Sequence, residues 1–237
     1  MATLFPELLE PQRPFEFPKS LTEKYLPTRI DSFVGISKIK NTLLNFAKTP
    51  RPISFCFVGE PGVGKTAMGF ALANEVGCSV RYIGAGRMSV DELDRTWEAV
   101  NYYPPKGRFW LILADEADQA TERAQLHWLS RGDMAASLKP VMGGSFEQGS
   151  RLPVIWVFTC NSTNGFEKRF LTRLHTLDFS MYGEAAKIAE YLGSIWDRET
   201  AGAYPAPDRP NLARLVKEAN GNVRDCLLKL DMILMGL

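Results

Sequence analysis

Residues 59–66 read GEPGVGKT and fit the pattern G-x-x-x-x-G-K followed by Ser or Thr. The apolar run ISFCFV at 53–58 comes directly before it and predicts a strand that is buried on both faces. A helix is predicted from about Gly64 to Val76. In this context, glycines let successive backbone N–H groups face one anion, and the helix N-terminus adds partial positive charge. The stretch therefore predicts an α/β domain that binds the phosphates of a nucleotide.

The residues of this phosphate loop have separate expected roles. Lys65 is expected to reach the β- and γ-phosphates and Thr66 to offer its hydroxyl to Mg²⁺, so the predicted cofactors are ATP and Mg²⁺. The residues assigned to nucleotide binding are Gly59, Glu60, Pro61, Gly62, Val63, Gly64, Lys65, Thr66 and Ala67. The alternative is a glycine-rich turn that binds nothing, and the flanking strand and helix argue against it.

A second buried run, FWLILADEAD at 109–118, ends in acidic residues. Its apolar part predicts a strand that places Asp115 at the carboxyl edge of the sheet, where open α/β sheets bind ligands. There Asp115 is a candidate Mg²⁺ ligand, and Glu116 is a candidate general base that polarises an attacking water. The alternative is a helix N-cap, because Asp and Glu favour the start of a helix.

A third buried run, VIWVFTCN at 154–161, ends in polar side chains. If its strand lies next to the phosphate-loop strand, Thr159 or Asn161 would lie beside the γ-phosphate. A side-chain amide at this place could position the attacking water. The alternative is an Asn161 that only caps a turn.

Predicted strands and helices alternate along most of the chain. The strands are at 53–58, 79–83, 108–114 and 152–158, and the helices are at 36–47, 64–76, 90–100 and from about residue 122. This alternation predicts a parallel sheet flanked by helices. After residue 184 only helical periodicity remains, interrupted by the proline-rich 203–210. We expect an extended proline-rich arm at 1–20, a nucleotide-binding domain at 21–181 and a small all-helical domain at 182–237.

The composition of the 237 residues argues against several classes of protein, among them disulfide-rich, His-rich metal-binding and membrane-spanning proteins. The formal net charge is +1, so any basic surface for nucleic acid has to be local. Four scattered cysteines predict buried free thiols rather than disulfides or a zinc site, and two histidines exclude a His-rich metal site. An apolar run of about 18 residues, which a membrane-spanning helix needs, is absent from the sequence. We therefore expect a cytoplasmic protein without a membrane partner.

Taken in order, GEPGVGKT, LILADEAD, FTCN, LTRLH and GNVR resemble the motifs of the AAA+ ATPases. In that family these motifs are Walker A, Walker B with the catalytic Glu, sensor 1, the arginine finger and sensor 2. The similarity is strongest to the clamp-loader branch, the replication factor C small subunits. EKYLPTRIDSFVGISKIKNTL at 23–43 resembles the N-terminal segment of that branch. The resemblance assigns Tyr25 and Val34 of this segment to nucleotide binding and makes the helical region a lid.

The resemblance also implies roles for arginines after the third strand. Arg173 would be a finger that acts in trans, pointing across a subunit interface at the neighbour's γ-phosphate. Arg169 lies one helical turn earlier and is the weaker candidate for this position. Arg224 would be the sensor-2 arginine, and its alternative is a cation on a helix surface. The implied partners are a homo- or hetero-oligomeric AAA+ ring or arc, with DNA and a sliding clamp as further candidates.

Several stretches depart from the clamp-loader pattern. Clamp loaders have a helical collar domain, whereas this sequence ends directly after the predicted lid, so either the sequence is truncated or the protein assembles by other means. The helix at 90–100 has four acids against one arginine, which argues against DNA contact there. The glycine-rich 143–150 is expected to be either a mobile connector or a loop that contacts a partner or DNA, flanked by Arg131, Lys139 and Arg151. Tyr82 is expected in or beside the sheet rather than in a pore loop.

Three functions are compatible with these motifs. The first is a clamp-loader-like ATPase subunit in DNA replication or repair, and the second is an AAA+ remodeller or chaperone-type ATPase that acts on a protein. The third is a nucleotide-dependent scaffold with little turnover. Glu116 argues against the scaffold, because a protein that does not hydrolyse ATP has no need of a water-activating carboxylate.

Overall fold

The computed structural model describes residues 17–131, 154–201 and 208–236, together with two short strands at 139–140 and 146–147. The strands in chain order are β1 (Ile53–Val58), β2 (Ser79–Ile83), β3 (Trp110–Ala114), β4 (Lys139–Pro140), β5 (Phe146–Glu147), β6 (Val154–Cys160) and β7 (His175–Asp178). Five of them form a parallel sheet in the order β2-β3-β6-β1-β7. This confirms the predicted α/β class, and it places the β6 strand directly beside the phosphate-loop strand β1.

Helices connect and follow these strands. They are α1 (Leu21–Lys24), α2 (Ser37–Lys48), α3 (Lys65–Val76), α4 (Val90–Val100), α5 (Glu122–Arg131), α6 (Lys168–Leu171), α7 (Ala185–Glu199), α8 (Leu212–Glu218) and α9 (Val223–Leu234). Single 3₁₀ turns lie at 30–32, 117–119 and 163–165. The last three α-helices make the predicted helical C-terminal region.

Two apolar clusters cover the two faces of the sheet, because successive side chains of a strand point to opposite faces. Phe55 and Phe57 of β1 pack with the side of the sheet that α2 and α3 cover. Cys56 of β1 packs on the other side, in a cluster that includes Trp97, Trp128 and Trp156. β6 is buried along its whole length. This burial on both faces is what the wholly apolar strand sequences predicted.

The helical C-terminal region has an apolar cluster of its own. Ile188, Leu192 and Trp196 of α7 pack there with residues of α8 and α9. Leu21 of α1 belongs to the same cluster, so the start of the N-terminal segment packs with the lid. Met181 contacts both this cluster and the α2–α3 side of the sheet, next to the predicted boundary between residues 181 and 182. That boundary stays a prediction.

Two parts of the structure differ from the sequence-based expectation. β7 was not predicted, because this edge strand of the sheet has only four residues and three of them are exposed, so it lacks an apolar run. Within the glycine-rich 143–150, expected to be irregular, β5 forms an antiparallel pair with β4. The rest of that stretch lies outside the described residues, as do residues 1–16 of the predicted arm, and a contact of this region with a partner or DNA stays a prediction.

The cysteines and the helix lengths match the composition of the sequence. All four cysteines are free and buried, which confirms the predicted thiols. Across the described ranges, no helix has the length and apolarity needed to cross a bilayer.

Candidate nucleotide-binding site

A cleft of about 200 Å³ lies at the carboxyl edge of the sheet, where β1, β3 and β6 end. Its lining comes from the N-terminal segment, the phosphate loop, the ends of β3 and β6, and the lid. The lining residues are Thr22, Tyr25, Leu26, Pro27, Ser32, Phe33, Val34, Pro61 to Ala67, Asp115, Glu116, Thr159, Asn161, Tyr191, Val223, Arg224 and Leu227. One cleft therefore contains the phosphate-loop residues 61–67 and the predicted residues of the N-terminal segment, strand ends and lid, whereas Arg173 is not part of the described lining.

The buried Lys65 side chain is held by oxygen atoms of the site itself. Its Nζ donates to the carbonyl oxygens of Gly59 (2.6 Å) and Glu60 (2.8 Å) and to Oδ1 of Asn161 (3.1 Å). Burial lowers the pKa of this ammonium from its usual value, and nearby acids including Asp115 act in the opposite direction. The three N–H donors of the Lys65 ammonium group thus point to acceptors that phosphate oxygens could replace.

The glycines of the phosphate loop meet a conformational requirement. Gly62 has a φ of +82° and Gly64 a φ of +94°, a left-handed region that side chains disfavour. Gly64 also comes directly before α3, and a Cβ there would lie 3.1 Å from the ring of Phe33. The loop can therefore turn sharply into the helix N-terminus only because these positions are glycine.

Asp115 receives hydrogen bonds from three hydroxyl groups. Its Oδ1 accepts from the hydroxyls of Thr66 (2.7 Å) and Thr159, and its Oδ2 accepts from Tyr82 (3.0 Å). Tyr82 lies in β2 with 45% of its surface exposed, as expected for a residue in or beside the sheet. The sequence did not indicate its contact with Asp115.

The adjacent oxygens of Thr66 and Asp115 suit Mg²⁺, which prefers oxygen ligands and is usually held by one or two carboxylates together with phosphates and water. Within the described ranges, no group of three or more His, Cys, Asp or Glu residues could form a metal cage. The donor set therefore fits a Mg²⁺ ion that binds together with a nucleotide.

Glu116 has a strained backbone that is held in place by β6. Its φ of +48° and ψ of +48° are left-handed, which is uncommon for a residue other than glycine. Its backbone N–H donates to the hydroxyl of Thr159 (3.0 Å), and its Oε2 accepts from Nε2 of Gln119 (2.6 Å). The buried Thr159 therefore contacts both Asp115 and Glu116, and it orients the two acids.

Asn161 is the other polar residue at the end of β6, and its role in the site differs from that of Thr159. Its side chain accepts from Lys65, while its backbone N–H donates to Oδ2 of Asp118 (3.2 Å). The sequence left open whether Thr159 or Asn161 belongs to the site, and both do: Thr159 contacts the two acids and Asn161 contacts the lysine.

Of the three candidate arginines, Arg224 lines the cleft, whereas Arg173 and Arg169 lie outside its described lining. Arg224, the second residue of α9, is exposed and lines the cleft from the lid. Arg173 lies between α6 and β7, is exposed, and is outside the described lining. Arg169 of α6 is exposed as well.

The N-terminal segment forms part of the cleft wall, and Tyr25 and Val34 both line it. The hydroxyl of Tyr25 donates to Oε1 of Glu199, and burial together with this carboxylate raises the pKa of Tyr25 to about 12. Hydrogen bonds from Lys24 and Tyr25 lower the pKa of Glu199. The hydroxyl of Tyr191 donates to the carbonyl oxygen of Tyr25 (3.4 Å). Tyr191 was missed because only the tertiary structure brings α7 to this segment.

The family described as "ATPase family associated with various cellular activities (AAA)" matches residues 55–182, which is more than half of the chain. The protein belongs to this family. Among curated relatives, the replication factor C small subunit of Methanocella arvoryzae is 33% identical over 119 residues, which are 44% of this chain and 35% of that protein. The RuvB subunit of the Holliday junction branch migration complex of Campylobacter hominis is 33% identical over 75 residues, 30% of this chain and 22% of that protein.

The match to replication factor C thus spans about a third of the relative's length. A solved mutant of Thermotoga maritima RuvB superposes with a TM-score of 0.65 at 13% identity, covering 87% of this chain and 64% of that chain. A second mutant of the same protein gives a TM-score of 0.66 at 14% identity. At this identity the likeness concerns the fold, which is the AAA+ sheet followed by helices.

Proposed function

We propose that the protein binds ATP with Mg²⁺ in this cleft and hydrolyses it at an interface between subunits. One observation carries the proposal. The phosphate-loop lysine, two acids and the lid arginine meet in one cleft, whereas Arg173 lies on the surface outside it. A site of this kind has a binding half in one subunit and needs a cation from a neighbour.

The binding step uses Lys65, Thr66 and Asp115. Lys65 turns its donors from Gly59, Glu60 and Asn161 to the β- and γ-phosphate oxygens. The hydroxyl of Thr66 and the carboxylate of Asp115 hold Mg²⁺, which neutralises phosphate charge when it is bound. Tyr25 and Val34 flank the nucleotide from the N-terminal segment, as the resemblance to clamp loaders implies.

The hydrolytic step uses Glu116 as a general base, with Asn161 positioning the water that attacks the γ-phosphate. Thr159 holds the backbone of Glu116 at the end of β6, and the amide of Gln119 orients its carboxylate. Arg224 contacts the phosphates from the lid of the same subunit. Arg173 of a neighbouring subunit stabilises the charge that develops on the γ-phosphate, because a guanidinium is always charged and forks onto phosphate oxygens.

The cellular role that we propose is that of a clamp-loader-like subunit in DNA replication or repair. Its support is the name of the relatives that match at 33% identity, replication factor C small subunits. The partners would be further AAA+ subunits in a ring or arc, DNA and a sliding clamp, and the location would be the cytoplasm. Residues 182–237 would act as the lid of the nucleotide-binding domain at 21–181.

A second candidate is an AAA+ remodeller that acts on a protein, and the surface of α4 favours it. Asp91 and Glu98 are exposed on this helix. Glu92 is paired with Arg81 (3.0 Å) and Arg95 (3.8 Å). The acids that remain exposed would repel a DNA backbone.

An ATPase assay with and without primed DNA separates these two roles. We expect DNA to raise the turnover of a clamp-loader-like subunit, whereas a remodeller would respond to a protein substrate instead. The mass of the protein should be measured in parallel with a non-hydrolysable ATP analogue. Turnover that DNA leaves unchanged in a confirmed assembly would contradict the clamp-loader role.

Mixing two inactive variants tests the role of Arg173 in trans. Lys65→Ala removes ATP binding but retains Arg173, and Arg173→Ala retains the phosphate loop. Mixed subunits should partly restore hydrolysis, while Arg173→Ala alone should lose about 10³-fold or more. Arg169→Ala is the matched control and should remain close to wild type. If co-assembly is confirmed and no activity returns, Arg173 does not act across an interface.

A further inference from the structure

The first turn of the lid helix α9 is attached directly to the phosphate loop by Asn222. Its side-chain oxygen accepts from the backbone N–H of Asp225 (3.2 Å) and so caps α9. Its Nδ2 donates to the carbonyl oxygen of Pro61 (2.7 Å). One amide group therefore joins the start of α9 to the loop that would wrap the phosphates.

The phosphate loop is shaped to receive this amide. A Cβ at Gly62 would lie 2.7 Å from Nδ2 of Asn222, closer than real Cβ contacts. Glycine at this position therefore serves the left-handed backbone of the loop and also leaves space for the lid residue. The amide of Asn222 thus packs against the Pro61–Gly62 peptide as well as donating to its carbonyl oxygen.

Asn222 is held firmly on the lid side. Asn220 and Gly221 have φ values of +50° and +73°, and these consecutive left-handed residues make the tight turn between α8 and α9. The backbone N–H of Asn222 donates to the carbonyl oxygen of Ala219 (2.8 Å), and its carbonyl oxygen accepts from Cys226 (2.9 Å). A displacement of the Pro61 carbonyl would thus act on the whole start of α9 rather than on one loose side chain.

The residues that follow Asn222 face the cleft. Val223 and Arg224 both line it, and they are the first two residues of α9. The place that Arg224 can reach is therefore set by the position of the helix start. Among the hydrogen bonds of this start, the one from Asn222 to Pro61 connects it to the phosphate loop.

We propose that Asn222 is a positioning residue that couples occupancy of the phosphate loop to the position of Arg224. The inference rests on the proposed binding of ATP in this cleft. Phosphates that bind the N–H groups of the loop fix its peptide planes, including the carbonyl of Pro61. The hydrogen bond from Asn222 then holds the start of α9 where Arg224 reaches the phosphates.

Asn222→Ser tests this coupling, because Ser caps a helix about as well as Asn but its side chain is too short to reach Pro61. Asn211→Ser is the matched control. Asn211 caps α8 in the same lid by accepting from the N–H of Arg214 (3.0 Å). Each variant keeps its helix cap, so both should remain folded, and thermal unfolding checks this; Asn222→Ser should be less stable than Asn211→Ser by no more than one hydrogen bond contributes. A difference in nucleotide affinity between the two variants can then be attributed to the lost contact between Asn222 and Pro61.

The readout is ATP affinity, measured with a fluorescent ATP analogue for each single variant and for the double variant with Arg224→Ala. We expect Asn222→Ser to weaken binding about 3- to 10-fold, the range of one hydrogen bond, and Asn211→Ser to leave it unchanged. Asn222→Ser combined with Arg224→Ala should bind no more weakly than Arg224→Ala alone, because both changes remove the same contact.

Two results would overturn the inference. The first is equal affinity of Asn222→Ser and Asn211→Ser. The second is a double variant whose loss is the product of the two single losses, which would mean that Asn222 acts independently of Arg224. A wild-type protein that does not bind the ATP analogue would overturn the proposed nucleotide site as well, so the two failures are distinguishable.

Discussion

The two sides of the cleft are built differently. On the sheet side, Lys65 and Thr159 are buried, and each makes at least two hydrogen bonds to other residues of the site. On the lid side, Arg224 is exposed, and the start of its helix is joined to the phosphate loop through Asn222. Several internal hydrogen bonds therefore hold the sheet side in place, whereas the lid side is connected to the phosphate loop through the amide of Asn222.

The apolar clusters are also divided between the sheet side and the lid side. β1 and β6 are buried between the two clusters of the sheet, so the ends of these strands have little freedom. The lid has a separate cluster, which includes Leu21 of the N-terminal segment, and the backbone N–H of Leu21 donates to Asp231 of α9 (3.3 Å). Changes on the sheet side should thus affect the ligand and chemistry, and changes between lid and N-terminal segment should affect stability.

The largest effect on ATP binding is expected from Lys65→Ala on the sheet side. The variant should lose ATP binding by about 100-fold or more, because the charge that would contact the β- and γ-phosphates is removed. Its melting temperature should change little, because the loss of three hydrogen bonds opposes the relief of the burial penalty that lowers the pKa of the ammonium. Titration with a fluorescent ATP analogue and thermal unfolding measure both, with the exposed Lys38→Ala as control. Normal ATP affinity would contradict the assignment of the phosphate loop.

Glu116→Gln should separate binding from chemistry on the same side. The amide keeps the shape of the side chain but cannot accept a proton, so ATP affinity should be retained while turnover falls about 10²- to 10⁴-fold. A single-turnover assay with saturating protein measures the chemical step. Glu122→Gln at the exposed start of α5 is the control and should turn over normally. Wild-type turnover in Glu116→Gln would place the base elsewhere.

The smallest effect is expected from Tyr25→Phe, which tests the lid side. Loss of the hydrogen bond from Tyr25 to Glu199 should lower the free energy of unfolding by about 1–2 kcal/mol, since the acceptor is charged and partly exposed. Urea unfolding measures this loss, and Tyr182→Phe, at a side chain 97% exposed, is the control.

The contribution of this contact should also depend on pH with a definite sign. The pKa of Glu199 is lowered in the folded protein, so its stabilisation is present above the ordinary value of 4.5 and is lost as the pH falls through the folded value. The difference between wild type and Tyr25→Phe should therefore be full at neutral pH and shrink below pH 4.5. A constant difference down to pH 3 would show that the carboxylate is not the partner that matters.

The sequence alone determined the class of fold and the sheet side of the site. The strands β1, β3 and β6 are short apolar runs, and the residues at their ends fall at the carboxyl edge because parallel strands end there together. Gly62 and Gly64 could be recognised because the left-handed backbone is a local requirement of the loop. Local backbone geometry and the pattern of burial depend on residues that are close in sequence, so the sequence alone can predict them.

The tertiary structure decided the rest, because contacts between distant segments leave no local pattern. Asn222 and Pro61 are 161 positions apart, and Tyr25 and Glu199 are 174 positions apart. Within the sequence, Asn222 reads only as a helix cap. Only when the lid packs beside the phosphate loop does the free donor of that cap meet the Pro61 carbonyl, and this packing also brings Arg224 to line the cleft.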